Sequence, residues 1–107
     1  MSTTRYTAAN VNEAVSKDID RLFAPWMVGR SENYKTDIAT KNIIAIGYWM
    51  QEELTRIGAT DDDRRTQCWK FNRMSRTYDM WETAAECMNE AIDGQVEQNR
   101  KPHRRWG

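Results

Sequence analysis

The stretch CWKFNRMSRTYDMWETAAEC, residues 68–87, decides the fold. Either it doubles back as a helical hairpin, or it runs straight as one helix whose two thiols never meet. Phe71, Met74, Tyr78, Trp81, Ala85, Met88 and Ile92 follow one another at spacings of 3, 4, 3, 4, 3 and 4, the heptad-like seam of a continuous helix. A hairpin needs a turn between Tyr78 and Cys87, yet DMWETAAE holds no Gly, Pro or Asn. On a single helix the separation of the two cysteines amounts to about 28 Å of rise, whereas a disulfide needs Cα atoms within about 7 Å. The spacing therefore predicts one long helix with two free thiols.

Working outward, this third helix runs over residues 61–93. Thr60 caps it, and Asp61, Asp62 and Asp63 occupy the first turn, where carboxylates favour the positive end of the helix dipole. Gly94 is the first breaker after Gly58, giving a helix on the order of 50 Å long. The second helix covers 36–57, with Ala39, Ile43, Ile46, Met50, Leu54 and Ile57 on one face and Gly58 as its C-terminal stop. Gly47 lies inside it at a cost of about 1 kcal/mol against alanine, read as room for a closely packed neighbour. The first helix covers 8–24, from Thr7 as N-cap along Val11, Val15, Ile19 and Leu22 to Pro25 as terminator. PWMVGRSENY, residues 25–34, is then a connector, and no period-2 run with hairpin turn chemistry marks a strand. The expected architecture is all-α: a three-helix arrangement with a long third helix and an extended basic C-terminal tail. It forms a single helical domain over 1–98 and a tail over 99–107.

A chain of 107 residues makes at most one such domain and buries a modest core. Sixteen Lys and Arg balance sixteen Asp and Glu, for zero formal charge, which removes a whole-molecule drive toward nucleic acid or membrane. A mean hydropathy of −0.90 leans toward disorder, but five Trp and six Met pull the other way. The longest apolar run, IIAIGYWM, is too short to span a bilayer, and MSTTRYTAANVNEAV has no apolar leader core. Two cysteines without such a leader fit a reducing, intracellular compartment.

The chemistry-bearing residues are sparse. Glu82, Glu86 and Glu90 share a helix face without histidines at the spacing a di-metal bundle needs. The one histidine, His103, lies in the tail, remote from both cysteines. Neither a Gly-rich phosphate loop nor a CxxC occurs. The expectation is no catalytic, metal or cofactor site. The interaction signals are richer. Trp26, Trp49, Trp69, Trp81 and Trp106 exceed what one seam absorbs, and tryptophan is enriched at interface anchors. Arg65, Trp69, Asn72, Arg73 and Arg76 share one face of the third helix. That face suits nucleic acid, with arginines on phosphate and Trp69 stacking on a base, or a partner protein, and the zero net charge favours the protein. Arg104, Arg105 and Trp106 make the tail a candidate docking arm.

Cys68-Trp69 opens a ten-residue unit ending at Tyr78, and Cys87 opens another ending at Glu97. This pattern resembles the twin C-x9-C coiled-coil-helix proteins of mitochondria, such as cytochrome c oxidase subunit VIb, in which a Cys-Trp pair opens the first unit. Two of the four cysteines are replaced, by Tyr78 and Glu97. The resemblance implies an accessory subunit at the periphery of a mitochondrial respiratory complex. The residues themselves predict a non-enzymatic subunit that binds partner proteins through Trp26, Trp49, Trp69, Arg73, Arg76, Trp81, Arg104, Arg105 and Trp106. Self-association through the third-helix seam is a further expectation. The alternative is a small phage-type effector that blocks a host protein or nucleic acid.

Overall fold

The computed structural model describes residues 5–28 and 38–100, with side chains for all of these except 27 and 95–100. These residues form five helices: α1 (Ala8–Lys17), α2 (Ile19–Met27), α3 (Ile38–Arg56), α4 (Asp61–Met74) and α5 (Met80–Arg100). No strand occurs among the described residues. The all-α class agrees with the sequence reading, but the three-helix arrangement is wrong at two breaks. Gly94 does not end the last helix, which passes through it to Arg100.

The first break is at Asp18. Thr7 caps α1 as expected: its side chain accepts from the Asn10 N–H, and the Asn10 side chain accepts from the Thr7 N–H at 2.9 Å. The helix stops at Asp18, and the chain restarts as α2 with the Leu22 N–H on the Asp18 carbonyl. Pro25 does not terminate the helix but lies inside α2. A proline ring carries a helical φ, and Trp26 is held just beyond it by stacking on Phe23, ring centroids 5.3 Å apart.

The second break falls in the deciding stretch. The supposed continuous helix ends at Met74 and turns through Ser75–Asp79. Asp79 starts α5 as its N-cap, its Oδ1 accepting from the Trp81 N–H at 2.8 Å and the Glu82 N–H at 3.1 Å. An aspartate followed three residues later by glutamate is a helix-start signature, here in place of Gly or Pro. The stretch is therefore a hairpin, with α4 packed along α5. Cys68 lies six residues before Met74 and Cys87 seven after Met80, so both sit about 9–10 Å from the turn at nearly the same level. The expected 28 Å separation is overturned. Both thiols are nevertheless free.

α3 ends as its sequence indicates. Gly58 has φ 87°, the Ala59 N–H bonds the Leu54 carbonyl, and the Gly58 N–H bonds the Thr55 carbonyl. This is a Schellman closure. Gly47 does not serve a close approach, since a Cβ there meets nothing within 4 Å.

The core lies between α1, α3, α4 and α5, with α2 folded against α3. Val11, Val15, Leu22, Ile46, Met50, Leu54, Phe71 and Met88 are fully buried in it. Phe71, Ala85, Met88 and Ile92 of the expected seam are core residues, whereas Tyr78 between them points to solvent, 61% exposed. Most of the seam is thus spent inside one molecule, with Met74 and Trp81 half-buried. At the N-terminus the Asn89 side chain accepts from the Tyr6 N–H at 2.8 Å and donates to the Tyr6 carbonyl at 2.9 Å. That double bond ties the start of the chain to α5.

Candidate functional site

Along α4 and the α4–α5 turn lie the exposed aromatics Trp69 and Tyr78 together with Arg73 and Arg76. Trp69 is 61% exposed on the outer face of α4, although α4 is a helix whose inner face supplies Phe71 to the core. Arg73, one turn further, places its guanidinium 5.1 Å from the Trp69 ring centroid, a cation–π stack. Arg76 follows in the turn, two residues beyond the end of α4. At the other end of the row Arg65 is bound to Asp62 at 3.0 Å.

Beyond Arg76 opens a cleft of about 540 Å³ lined by Ala39, Thr40 and Ile43 of α3, Ser75, Arg76, Tyr78 and Asp79 of the turn, and Met80 and Trp81 of α5. Ile43, Met80 and Trp81 pack on the core from one side and line the cleft with the other. Tyr78 at its rim and Ile38 at the start of α3 are exposed, the latter at 71%. Asp79 is engaged as the α5 cap, where the helix N-terminus offsets its charge. Arg76 makes no hydrogen bond or ion pair among the described residues. Ser75 is 4% exposed, and its Oγ has no hydrogen-bond partner.

The remaining expected contact residues divide sharply. Trp49 does not belong to a binding surface. It is 8% exposed and meets Tyr6 edge-on at 5.8 Å, so it is core. Trp26 is half-buried against Phe23. Trp81 is half-buried at the cleft wall. Arg104, Arg105 and Trp106 of the tail lie outside the described residues, as does most of the 25–34 connector. The structure thus brings Trp69, Arg73, Arg76 and Trp81 to one end of the molecule and removes Trp49 from the set. Sequence reasoning missed Tyr78 as a surface-lining group because it placed it on a continuous seam, Ile43 because it placed it on the apolar face of the second helix, and Met80 because no spacing marked it.

Burial pushes both thiols up. Burial raises the Cys87 pKa to about 11, partly countered by Lys70. Burial likewise raises Cys68, countered in part by Arg64. Elsewhere the Tyr6 hydroxyl donates to Glu53 at 2.7 Å. Burial and the Glu53 carboxylate push its pKa up to about 12. Glu53 itself is lowered, chiefly by its hydrogen bonds from Arg56. Among the described residues no three His, Cys, Asp or Glu side chains gather as a metal cluster, and no helix is long and apolar enough to cross a membrane.

No family model, curated protein or solved structure matches this chain.

Proposed function

We propose that this chain is a non-enzymatic accessory subunit that binds a partner protein through the Trp69–Arg73–Arg76 row and the cleft beside it. The observation that carries this reading is the exposure of Trp69 and Tyr78, each 61%, near a partly apolar cleft that α3, the turn and α5 leave open among the described residues. Large aromatics beside arginine are the side chains most enriched at interface anchor points, and Trp69 pre-stacked with Arg73 loses little freedom on binding. The twin C-x9-C resemblance of the Cys68–Glu97 stretch implies an assembly of the respiratory-complex kind, and a helical hairpin at α4–α5 is compatible with it. The arginine row also supports the alternative of an effector that contacts nucleic acid, opposed by the carboxylates of Asp61, Asp62 and Asp63 at the start of the same helix.

A photoreactive benzophenone side chain at position 69, introduced into the chain in its native host, tests the reading. A single protein adduct of defined mass, diminished by Arg73→Glu, is the expected result. Adducts with nucleic acid select the effector. Adducts no different from those of a probe at the remote, exposed Lys17 overturn the docking face.

A further inference from the structure

The partner's chemistry can be taken one step further, resting on the protein-binding reading above. We propose that the cleft between the start of α3 and the α4–α5 turn is an anchor pocket for a short segment carrying a carboxylate beside a large apolar side chain. The carboxylate meets Arg76, and the apolar group lies on Ile43, Met80 and Trp81.

Three observations converge on that occupant. The first is size and lining. The open groove of about 540 Å³ has room for a large side chain, and four of its nine lining residues are the apolar Ala39, Ile43, Met80 and Trp81. Water against those groups gains nothing from being there, and an apolar side chain displaces it favourably.

The second is charge. Two ionic groups border the cleft, Arg76 and Asp79. Asp79 is occupied by two N–H groups of α5 and sits at the positive end of that helix. Arg76 has no such partner among the described residues, and Arg73 adds a second positive charge one turn back along α4. The uncompensated charge at the mouth is therefore positive. An arginine presents paired donors that fit a carboxylate and bind it by charge-assisted hydrogen bonds, while a basic segment would be repelled.

The third is the orphaned hydroxyl of Ser75, which lines the cleft yet keeps its Oγ buried and unpaired. Buried polar atoms of folded proteins are overwhelmingly hydrogen-bonded. That oxygen is closed to water in this conformation, so a ligand oxygen becomes its missing partner only by displacing the side chains over it. Neither the apolar wall nor the arginine alone defines a ligand. Together with the hydroxyl they select an acidic-apolar segment over a purely apolar one.

The experiment uses the full chain labelled with 15N and two probe peptides, acetyl-Leu-Glu-Leu-Phe-amide and acetyl-Leu-Gln-Leu-Phe-amide. With the glutamate peptide, saturable shifts are expected at the Trp81 indole N–H and the amides of Ala39 and Thr40. Its dissociation constant is expected to be about tenfold below that of the glutamine peptide, the scale of one charge-assisted hydrogen bond. Arg76→Gln should abolish that tenfold difference and leave the rest of the spectrum in place. No saturable shift at these positions at millimolar peptide, shifts centred elsewhere, or equal binding of the two peptides each overturn the pocket. The peptide comparison on the unmodified chain needs no variant to fold. If the cross-link at position 69 finds a protein while the peptides leave the cleft unmoved, the docking face stands and the acidic-apolar anchor falls. If both fail, the protein-binding reading falls with it.

Discussion

The two halves of α3 show opposite solutions to the same problem. Its C-terminal half buries Trp49, Met50 and Leu54, closes with Gly58, and satisfies Tyr6 and Glu53 against each other. Its N-terminal half leaves Ile38 and Ala39 exposed and Ile43 half-covered, beside a hydroxyl with no partner. Both halves carry apolar residues at helical spacing. What differs is that α1, α4 and α5 enclose one half, while the turn at Ser75–Asp79 opens away from the other. α2 covers one side of that half, with Lys41 bound to Asp20 and lying over Phe23, but among the described residues the corner facing the Ser75–Asp79 turn is left to Tyr78 and Trp81.

The most forceful way to break this contrast is to truncate one tryptophan at each end. Trp49→Ala should cost about 3–5 kcal/mol and lower the melting temperature sharply, because it empties a filled core site. Trp69→Ala should stay within about 0.5 kcal/mol. Equal losses in thermal or urea unfolding would show that the outer face of α4 is packed rather than presented. A second test sharpens the closed end. Tyr6→Phe removes a hydrogen bond to a carboxylate and should cost about 1.5 kcal/mol. The folded-state pKa of Tyr6 is raised from 10.0 to about 12, so its contribution is complete below pH 10 and is lost as pH rises from there to about 12. Melting temperatures across that window should fall in the parent and flatten in Tyr6→Phe. A parent with no alkaline decline would mean that the Tyr6–Glu53 bond is absent in solution. The smallest change lies at the midpoint between the two halves. Gly47→Ala should stabilise by about 1 kcal/mol, since the added methyl meets open space and alanine is the better helix former. Destabilisation there would place a neighbour against α3 that the described residues do not include.

How much of this was legible depended on which signals are local. Thr7, Thr60 and Gly58 announced their helix ends correctly because a cap is a contact within four or five residues. The heptad reading failed because a 3-4 alternation is indifferent to whether it belongs to one helix or to two that meet at a turn. Met74 and Trp81 keep the spacing, yet Asp79 between them had already restarted the helix. The signal was present in the Asp79-x-x-Glu82 pattern, and it was outweighed by a search for Gly, Pro or Asn. The same error hid the cleft, because a straight helix has no inner corner for Arg76, Tyr78 and Trp81 to share. Trp49 was misassigned for a different reason. Sequence cannot say which of five tryptophans a small core will take, and the choice was made by Tyr6, 43 positions away, packing edge-on against it.

The grip of Asn89 on both backbone groups of Tyr6 has a consequence in time. Its two partners are 83 residues apart, so at ribosomal rates of roughly 5–20 residues per second they are made about 4–17 s apart. Until the final helix emerges, Tyr6 has nothing to hold it, and the valines of α1 lack one of the walls they will be sealed against. The nascent chain therefore carries an uncovered apolar stripe until α5 is made, and Tyr6 is among the last of the described residues to be secured.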